Sequence, residues 1–339
     1  MRKTLTVSAG LPTGMEGLTY PIPFSDPETV LAIALHAEKL GYHSVWGNDH
    51  MTTQHYVREE FPVPPRFWEP LVTYAFLAAR TTKLRFGTGV LVTPMRRDIV
   101  PMAKQICTLD HFSGGRVEIG VGVGAYREEF LALRPEGDAH RGDMVAESVA
   151  AMRALFDNRV ASFEGKYYRF RDVEFTPKPL QRRMMIYYGG NSRAHLPRVA
   201  KDGDGWLPAG IHVDRLRADV AELHRLVEAA GRDPASIEVA PQFIVHVART
   251  REQAIERFRR SQMAKHLESL RKSTLKEQGA HTNEEINLIG TPSEVIAKAH
   301  ALREAGVTHL LGLYFAVNEP AELLDQMELF ATEVMPHIT

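Results

Sequence analysis

Residues 84–124 read LRFGTGVLVTPMRRDIVPMAKQICTLDHFSGGRVEIGVGVG. Leu84 to Val92 is a strand-length run rich in Val and Gly, Asp98 to Phe112 is helical, and Val117 to Val123 is a second apolar run. The two runs are mostly continuous rather than alternating in polarity. That is the pattern of strands covered on both faces, hence of parallel pairing. Parallel neighbours need a helical crossover, and the 98–112 segment supplies one.

The same order extends in both directions. Upstream lie a strand at Leu5–Leu11, a helix at Glu28–Leu40, a strand at Ser44–Asn48 and a helix at Pro70–Arg80. Downstream, helix Arg141–Phe156 leads to strand Met184–Tyr188, helix His195–Lys201 to strand Gly205–Pro208, and helix Leu216–Ala230 to strand Ile237–Ala248. Helical stretches Glu252–Leu270 and Ser293–Ala305 precede the last strand, Leu310–Phe315, and the last helix, Ala321–Met335. Eight strand–helix units predict an α/β fold, a closed (β/α)8 TIM barrel. A doubly wound sheet would carry G-x-G-x-x-G at its first turn, and Gly10-Leu11-Pro12-Thr13-Gly14 does not fit. With no linker in sight, residues 1–339 are expected to form one domain.

Three connections exceed simple turns: Met51–Trp68, Asn158–Arg183 and Ser261–Gly290. The first and third would be insertions at the C-terminal face of a barrel, where long loops act as lids or binding walls. The middle one resembles a β-hairpin around Glu164-Gly165-Lys166.

A formal net charge of -1 gives no bulk attraction to nucleic acid or anionic membrane. Cys107 is the only cysteine, so neither an internal disulfide nor a thiolate metal cluster can form, and no metal site is expected. A reducing, cytoplasmic setting fits, and no apolar run reaches the length of a membrane span. Neither H-E-x-x-H nor G-x-S-x-G occurs.

Asp49-His50 follows the second strand, where barrel side chains reach the active-site mouth. His50 could exchange a proton near neutral pH, and Asp49 could orient it or bond a cofactor. Capping and packing are the plainer alternatives. Gly87-Thr88-Gly89-Val90 places glycine inside a strand, which calls for a bend or a close backbone approach by a flat ligand. The glycines of Gly120-Val121-Gly122-Val123-Gly124 share one strand face, leaving room for packing or for a ligand. Arg116 is a phosphate ligand or, more simply, a structural ion-pair partner. Gly189-Gly190-Asn191-Ser192, between a strand and a helix, has the order of a phosphate-binding turn or of an ordinary capped helix. Trp46, Tyr56, Phe67, Trp68, Tyr126, Tyr188 and Trp206 crowd the expected rim, some as walls and most as core.

Taken together, these segments resemble the luciferase-like flavin- and deazaflavin-dependent oxidoreductases. The resemblance rests on the stretch from Gly41 to His50, on Gly87–Leu91, on Ala103–Asp110 with Ser113–Arg116 and Gly120–Gly124, and on Glu128-Glu129-Phe130. It continues through Gly189–Ser192, Gly203-Asp204-Gly205-Trp206 and Gly290-Thr291-Pro292-Ser293, spanning residue 26 to the C-terminus. It implies a barrel, usually a homodimer, with the cofactor ring at the C-terminal face. It further implies phosphate contacts at Gly190, Asn191 and Ser192, with Gly189 opening the turn. A bulged, often cis, backbone at Gly89-Val90 would lie beneath the ring, and His50 falls where several members have a catalytic histidine. From the residues themselves, Thr88, Arg116 and Trp206 are taken as further candidate cofactor contacts and Asp49 as a candidate catalytic partner of His50.

The activity implied is that of a two-component monooxygenase using reduced FMN and oxygen on a small organic substrate, fed by a separate NAD(P)H:flavin reductase. A reductase or dehydrogenase using the deazaflavin coenzyme F420 is the alternative, and a non-catalytic flavin-binding protein the third. Ala125 stands where the deazaflavin sugar-phosphate dehydrogenases of this family have a glutamate proton donor, which favours FMN. Asp49-His50 is common on the deazaflavin side and points the other way.

Overall fold

The computed structural model describes residues 4–135, 137, 139–270, 275, 279 and 281–339. Its strands are β1 (Thr6–Leu11), β2 (Ser44–Gly47), β3 (Arg85–Leu91), β4 (Val117–Val121), β5 (Val160–Glu164), β6 (Arg169–Glu174), β7 (Ile186–Gly189), β8 (Gly205–Leu207), β9 (Glu238–Val239), β10 (Ile244–Val247), β11 (Leu288–Gly290) and β12 (His309–Phe315). Apart from the antiparallel pair β5–β6, all pair in parallel. That pair is the expected hairpin, closed by the turn Gly165–Tyr168.

The barrel closes through one segment. The expected strand Ile237–Ala248 is interrupted at Pro241, which has no N–H to give a ladder, and so becomes β9 and β10. Both edges of the segment remain bonded. Toward β8, Ala240 N reaches Trp206 O at 2.8 Å and Gln242 N reaches Pro208 O at 2.9 Å. Toward β12, Leu311 N reaches Pro241 O at 3.1 Å and Tyr314 N reaches Phe243 O at 3.0 Å. The ring therefore runs β1-β2-β3-β4-β7-β8-(β9/β10)-β12 and back to β1. β11 adds beside β10 and was not expected; three residues inside a long connection leave little periodicity to read.

Inside the ring Trp46, Tyr187, Leu207, Ala240 and Leu311 pack into a small core of their own. Gly87 belongs to that core: a Cβ on it would lie 2.2 Å from the Trp46 ring. The glycine signal there thus reports interior packing.

Helices cover the outside. Pro27–Leu40 starts on Asp26, whose carboxylate accepts from Thr29 N, and ends at Gly41 with φ 81°. Ile99–Ser113 ends likewise at Gly114, φ 70°. The stretch Glu252–Leu270 breaks at Ser261, which is extended, into helices Arg251–Arg260 and Gln262–Leu270. Short helices at His55–Glu60 and Arg127–Leu133, both on the C-terminal face, escaped the sequence pattern. The connection 261–290 lies partly outside the described residues. No helix is long and apolar enough to cross a membrane among the described residues.

Candidate active site

At the C-terminal ends of the strands lies a cleft of about 830 Å³ lined by Asn48, Asp49, His50, Gly89, Val90, Gly122, Gly124, Tyr126, Gly189, Gly190, Asn191, Gln242 and His266, among others. It draws on segments after β2, β3, β4, β7, β8 and β10, the usual convergence of a parallel barrel. Five glycines leave much of its floor as bare backbone, and the Gly89–Val90 peptide in that floor is cis. A flat ring can rest closely on such a surface.

His50 is nine-tenths buried and its Nδ1 donates to Glu129 Oε2 at 2.8 Å. Gln54 Nε2 sits 3.1 Å from the same nitrogen. With the proton on Nδ1, Nε2 is the nitrogen left to exchange a proton. Glu129 Oε1 and Gln54 Oε1 are buried without a hydrogen-bond partner among the described residues. Phe67 packs on the His50 ring, with centroids 5.5 Å apart. The partner that orients His50 is therefore Glu129 and not Asp49.

Asp49 does line the cleft, but its oxygens are committed elsewhere. Oδ2 accepts from Val92 N at 2.9 Å and Oδ1 from Arg96 Nη2 at 3.0 Å, and Arg96 also binds Glu69 at 2.8 Å. Burial raises the Asp49 carboxyl pKa, while Arg96 and the Val92 N–H pull it down. This carboxylate anchors the exit of β3 to the end of β2.

The remaining candidates separate into two groups. Gly89, Val90, Gly189, Gly190 and Asn191 line the cleft. Thr88 does not: it is fully buried, and its Oγ1 donates to Gly120 O at 2.8 Å and accepts from Gly120 N at 3.0 Å. Ser192 accepts from Ala194 N at 3.3 Å and caps a single 3-10 turn, Arg193–His195, before helix Leu196–Asp202 begins. Trp206 lies behind the turn, its indole N–H donating to Gly190 O at 2.9 Å. Arg116 precedes β4 at the opposite end of the barrel. Its guanidinium is spent on Ala78 O, Leu84 O, Ser113 O and Thr81, which makes it structural. Of the rim aromatics, Tyr126 lines the cleft, whereas Trp46 fills the barrel interior.

Several functional candidates escaped sequence reasoning. Arg141 opens helix Arg141–Asp157 and donates to Val123 O at 3.0 Å and Gly124 O at 3.1 Å in the cleft wall. It meets no carboxylate among the described residues; burial and the nearby Arg127 lower its pKa. His195 packs against Gly190, and burial, then Arg198 and His140, lower its pKa. Here Gly190 has φ 138°, Asn191 Oδ1 accepts from Ala209 N at 2.8 Å, and Arg198 is paired with Asp143 at 2.7 Å.

Over the cleft, Tyr56 Oη lies 3.2 Å from Tyr126 Oη and 3.3 Å from His266 Nδ1. Three separate segments thus meet in a roof. Desolvation, with the charge of His50 behind it, pushes the His266 pKa down to about 3, so its imidazole is neutral.

The family model for luciferase-like monooxygenases matches residues 5–309. An uncharacterized protein of Mycobacterium tuberculosis is 34% identical over 170 residues, half of this chain and 59% of that relative's length. The FMNH(2)-dependent dimethylsulfone monooxygenase of Pseudomonas putida is 27% identical over 295 residues, 78% of this chain and 77% of that one. Among solved structures, an F420-dependent secondary alcohol dehydrogenase superposes with a TM-score of 0.81 at 21% identity, covering all of both chains. The monooxygenase RslO1 of Streptomyces bottropensis superposes with a TM-score of 0.82 at 22% identity over 99% of this chain and 100% of that one. At such identities the superpositions speak for the barrel, while the family match covers nearly the whole sequence: this chain belongs to the luciferase-like monooxygenase family.

Proposed function

We propose that the protein is the oxygenase of a two-component monooxygenase that uses reduced FMN and dioxygen on a small organic substrate. The observation that carries this reading is the glycine floor around Gly89–Val90, set between the buried His50–Glu129 pair and the cationic corner at Gly190 and Arg141. A planar ring ending in a phosphate fits that order of surfaces. Gly89, Val90 and Gly122 would carry the ring. The Gly190–Asn191 turn and Arg141 would hold the phosphate, and Trp206 would brace the turn from behind. Reduced flavin, when bound, supplies the electrons that activate dioxygen.

The chain's own residues supply position, dryness and a proton. Tyr56, Tyr126 and His266 close the roof and exclude water. His50 holds a proton on Nδ1 against Glu129 and exchanges one at Nε2. Ala125 lines the cleft and offers no acid there, which supports FMN over the deazaflavin sugar-phosphate chemistry. A cytoplasmic location, a homodimer and a separate NAD(P)H:flavin reductase complete the proposal.

The test is a side-by-side titration of the apo-protein with reduced FMN and reduced coenzyme F420, then turnover with a flavin reductase under labelled dioxygen. We expect FMN to bind more tightly and label to enter a substrate. Preference for F420 with no oxygen uptake would replace this reading with a deazaflavin reductase. Flavin binding with no turnover of any substrate would leave a binding protein.

A further inference from the structure

Two side-chain amides stand on the border between two spaces. Asn48 and Gln242 line the cleft, and both also line an adjoining compartment whose walls include Met15, Ile244, Met263 and Leu267. Asn48 follows β2, and Gln242 lies between β9 and β10. Tyr314 of β12, which is buried, joins the two.

The hydrogen bonds fix which end of each amide is left over. Gln242 Nε2 lies 3.4 Å from Gly89 O and 3.4 Å from Tyr314 Oη. A carbonyl oxygen only accepts, so the NH2 end of Gln242 is the end beside Gly89 and Oε1 is the other. Burial raises the Tyr314 pKa, so the phenol keeps its proton, which it donates to Asn48 Oδ1 at 2.8 Å. Thr13 Oγ1 steadies the same residue by donating to Asn48 O at 2.8 Å. One acceptor remains, Gln242 Oε1, and one donor group, Asn48 Nδ2. Neither has a hydrogen-bond partner among the described residues, and neither is enclosed, since both side chains are partly exposed in the cleft wall.

We propose that Asn48 and Gln242 determine specificity by holding, on an otherwise apolar substrate, a neutral head group that accepts and donates at once, a carboxamide or a hydroxyl. Asn48 Nδ2 donates to the oxygen of that head, and Gln242 Oε1 accepts its N–H or O–H. The apolar part lies among Met15, Ile244, Met263 and Leu267. Its role as a substrate rests on the monooxygenase reading; its binding does not. A head that only accepts, such as a dialkylamide, would take Oε1 out of water without giving it a donor.

The test is calorimetric titration of the full-length apo-protein at pH 8 with hexanamide and with N,N-dimethylhexanamide, which lacks the N–H. FMN affinity is read on the same preparation by fluorescence quenching. We expect hexanamide to bind at least about tenfold more tightly than its dimethyl form. Gln242→Met keeps the length and removes the acceptor, so the preference should shrink to within about twofold. Asn48→Asp puts an acceptor where the donor was, so both amides should weaken about tenfold while the preference stays. Equal binding of the two amides to wild type, no binding of either, a preference that survives Gln242→Met, or undiminished hexanamide affinity in Asn48→Asp would each overturn the proposal. Should one variant fail to fold, wild type and the other still decide. Hexanamide binding without FMN binding would overturn the flavin reading alone, and FMN binding without hexanamide binding would overturn this one alone.

Discussion

His50 and Glu129 are 79 residues apart in sequence, yet His50 Nδ1 and Glu129 Oε2 lie 2.8 Å apart in the barrel mouth, with both side chains at least nine-tenths buried. The carboxylate fixes the tautomer and tilt of the imidazole, so Glu129 acts through His50 as a positioning residue. His50→Gln should lower kcat about 100-fold, the low end for a general acid–base. Glu129→Gln should lower it about 10-fold with FMN affinity held within about twofold. The decisive measurement is the double variant: it should be no slower than His50→Gln alone, because the two side chains act as one unit. Fully additive losses would show that Glu129 works independently.

Arg141 provides a test of where the phosphate sits. Its guanidinium faces the Val123–Gly124 wall without a carboxylate partner among the described residues. Arg141→Met keeps much of the side chain's bulk and removes the charge. FMN affinity should fall about 10-fold or more, in line with a charge-assisted contact to phosphate. Riboflavin, which lacks the phosphate, should bind wild type and variant alike. Equal weakening of both flavins would place the phosphate elsewhere.

Glu16 gives the acid side of the stability curve. Its fully buried carboxylate accepts from Arg66 N at 2.7 Å, Arg66 Nη2 at 2.6 Å, and the N–H groups of Phe24 and Ser25 at 2.8 Å each. Burial alone would raise its pKa; the Arg66 guanidinium and these N–H groups more than offset that and hold it below 4.5. A carboxyl depressed on folding contributes stability above its unfolded value, and that contribution is lost as pH falls through the folded value. Glu16→Gln should therefore cost about 2 kcal/mol at pH 7. The gap from wild type should narrow as pH drops below 4.5. Urea melts at pH 7 and pH 4 measure both; a gap that is constant with pH would refute the assignment.

The barrel was legible because parallel strands are apolar on both faces and each needs a helix to return, which leaves a repeating mark in the chain. Pro241 broke the mark locally without breaking the wall, since the hydrogen bonds of Ala240, Gln242 and Phe243 carry the ring across it. The cleft lining was legible at His50, which directly follows a barrel strand, and at Gly89–Val90 and Gly189–Asn191, because glycine marks close approach whatever the partner. Glu129, Arg141 and His266 were not. Each meets neighbours remote in sequence, and a single polar residue on a helix carries no signal of what it will face. Arg116 erred in the other direction: an arginine after Gly-Gly looks like a phosphate ligand, but the start of a barrel strand lies at the end away from the cleft.

Asp49 separates an anchor from an acid. It was expected to share catalysis with His50, and the structure gives it instead to Val92 N and Arg96. Asp49→Asn keeps the size but turns one acceptor into a donor, which must then face the Val92 N–H or the Arg96 guanidinium. A donor set against a donor in a buried site, with part of the Arg96 charge uncompensated, should cost about 3 kcal/mol. Glu69 still holds Arg96 at 2.8 Å, so the fold should survive. Because the anchor sets the exit of β3, FMN affinity should fall together with stability. Were Asp49 a proton donor, the same variant would keep its urea midpoint and its FMN affinity and lose only turnover. Equilibrium unfolding and flavin titration on one preparation distinguish the two outcomes.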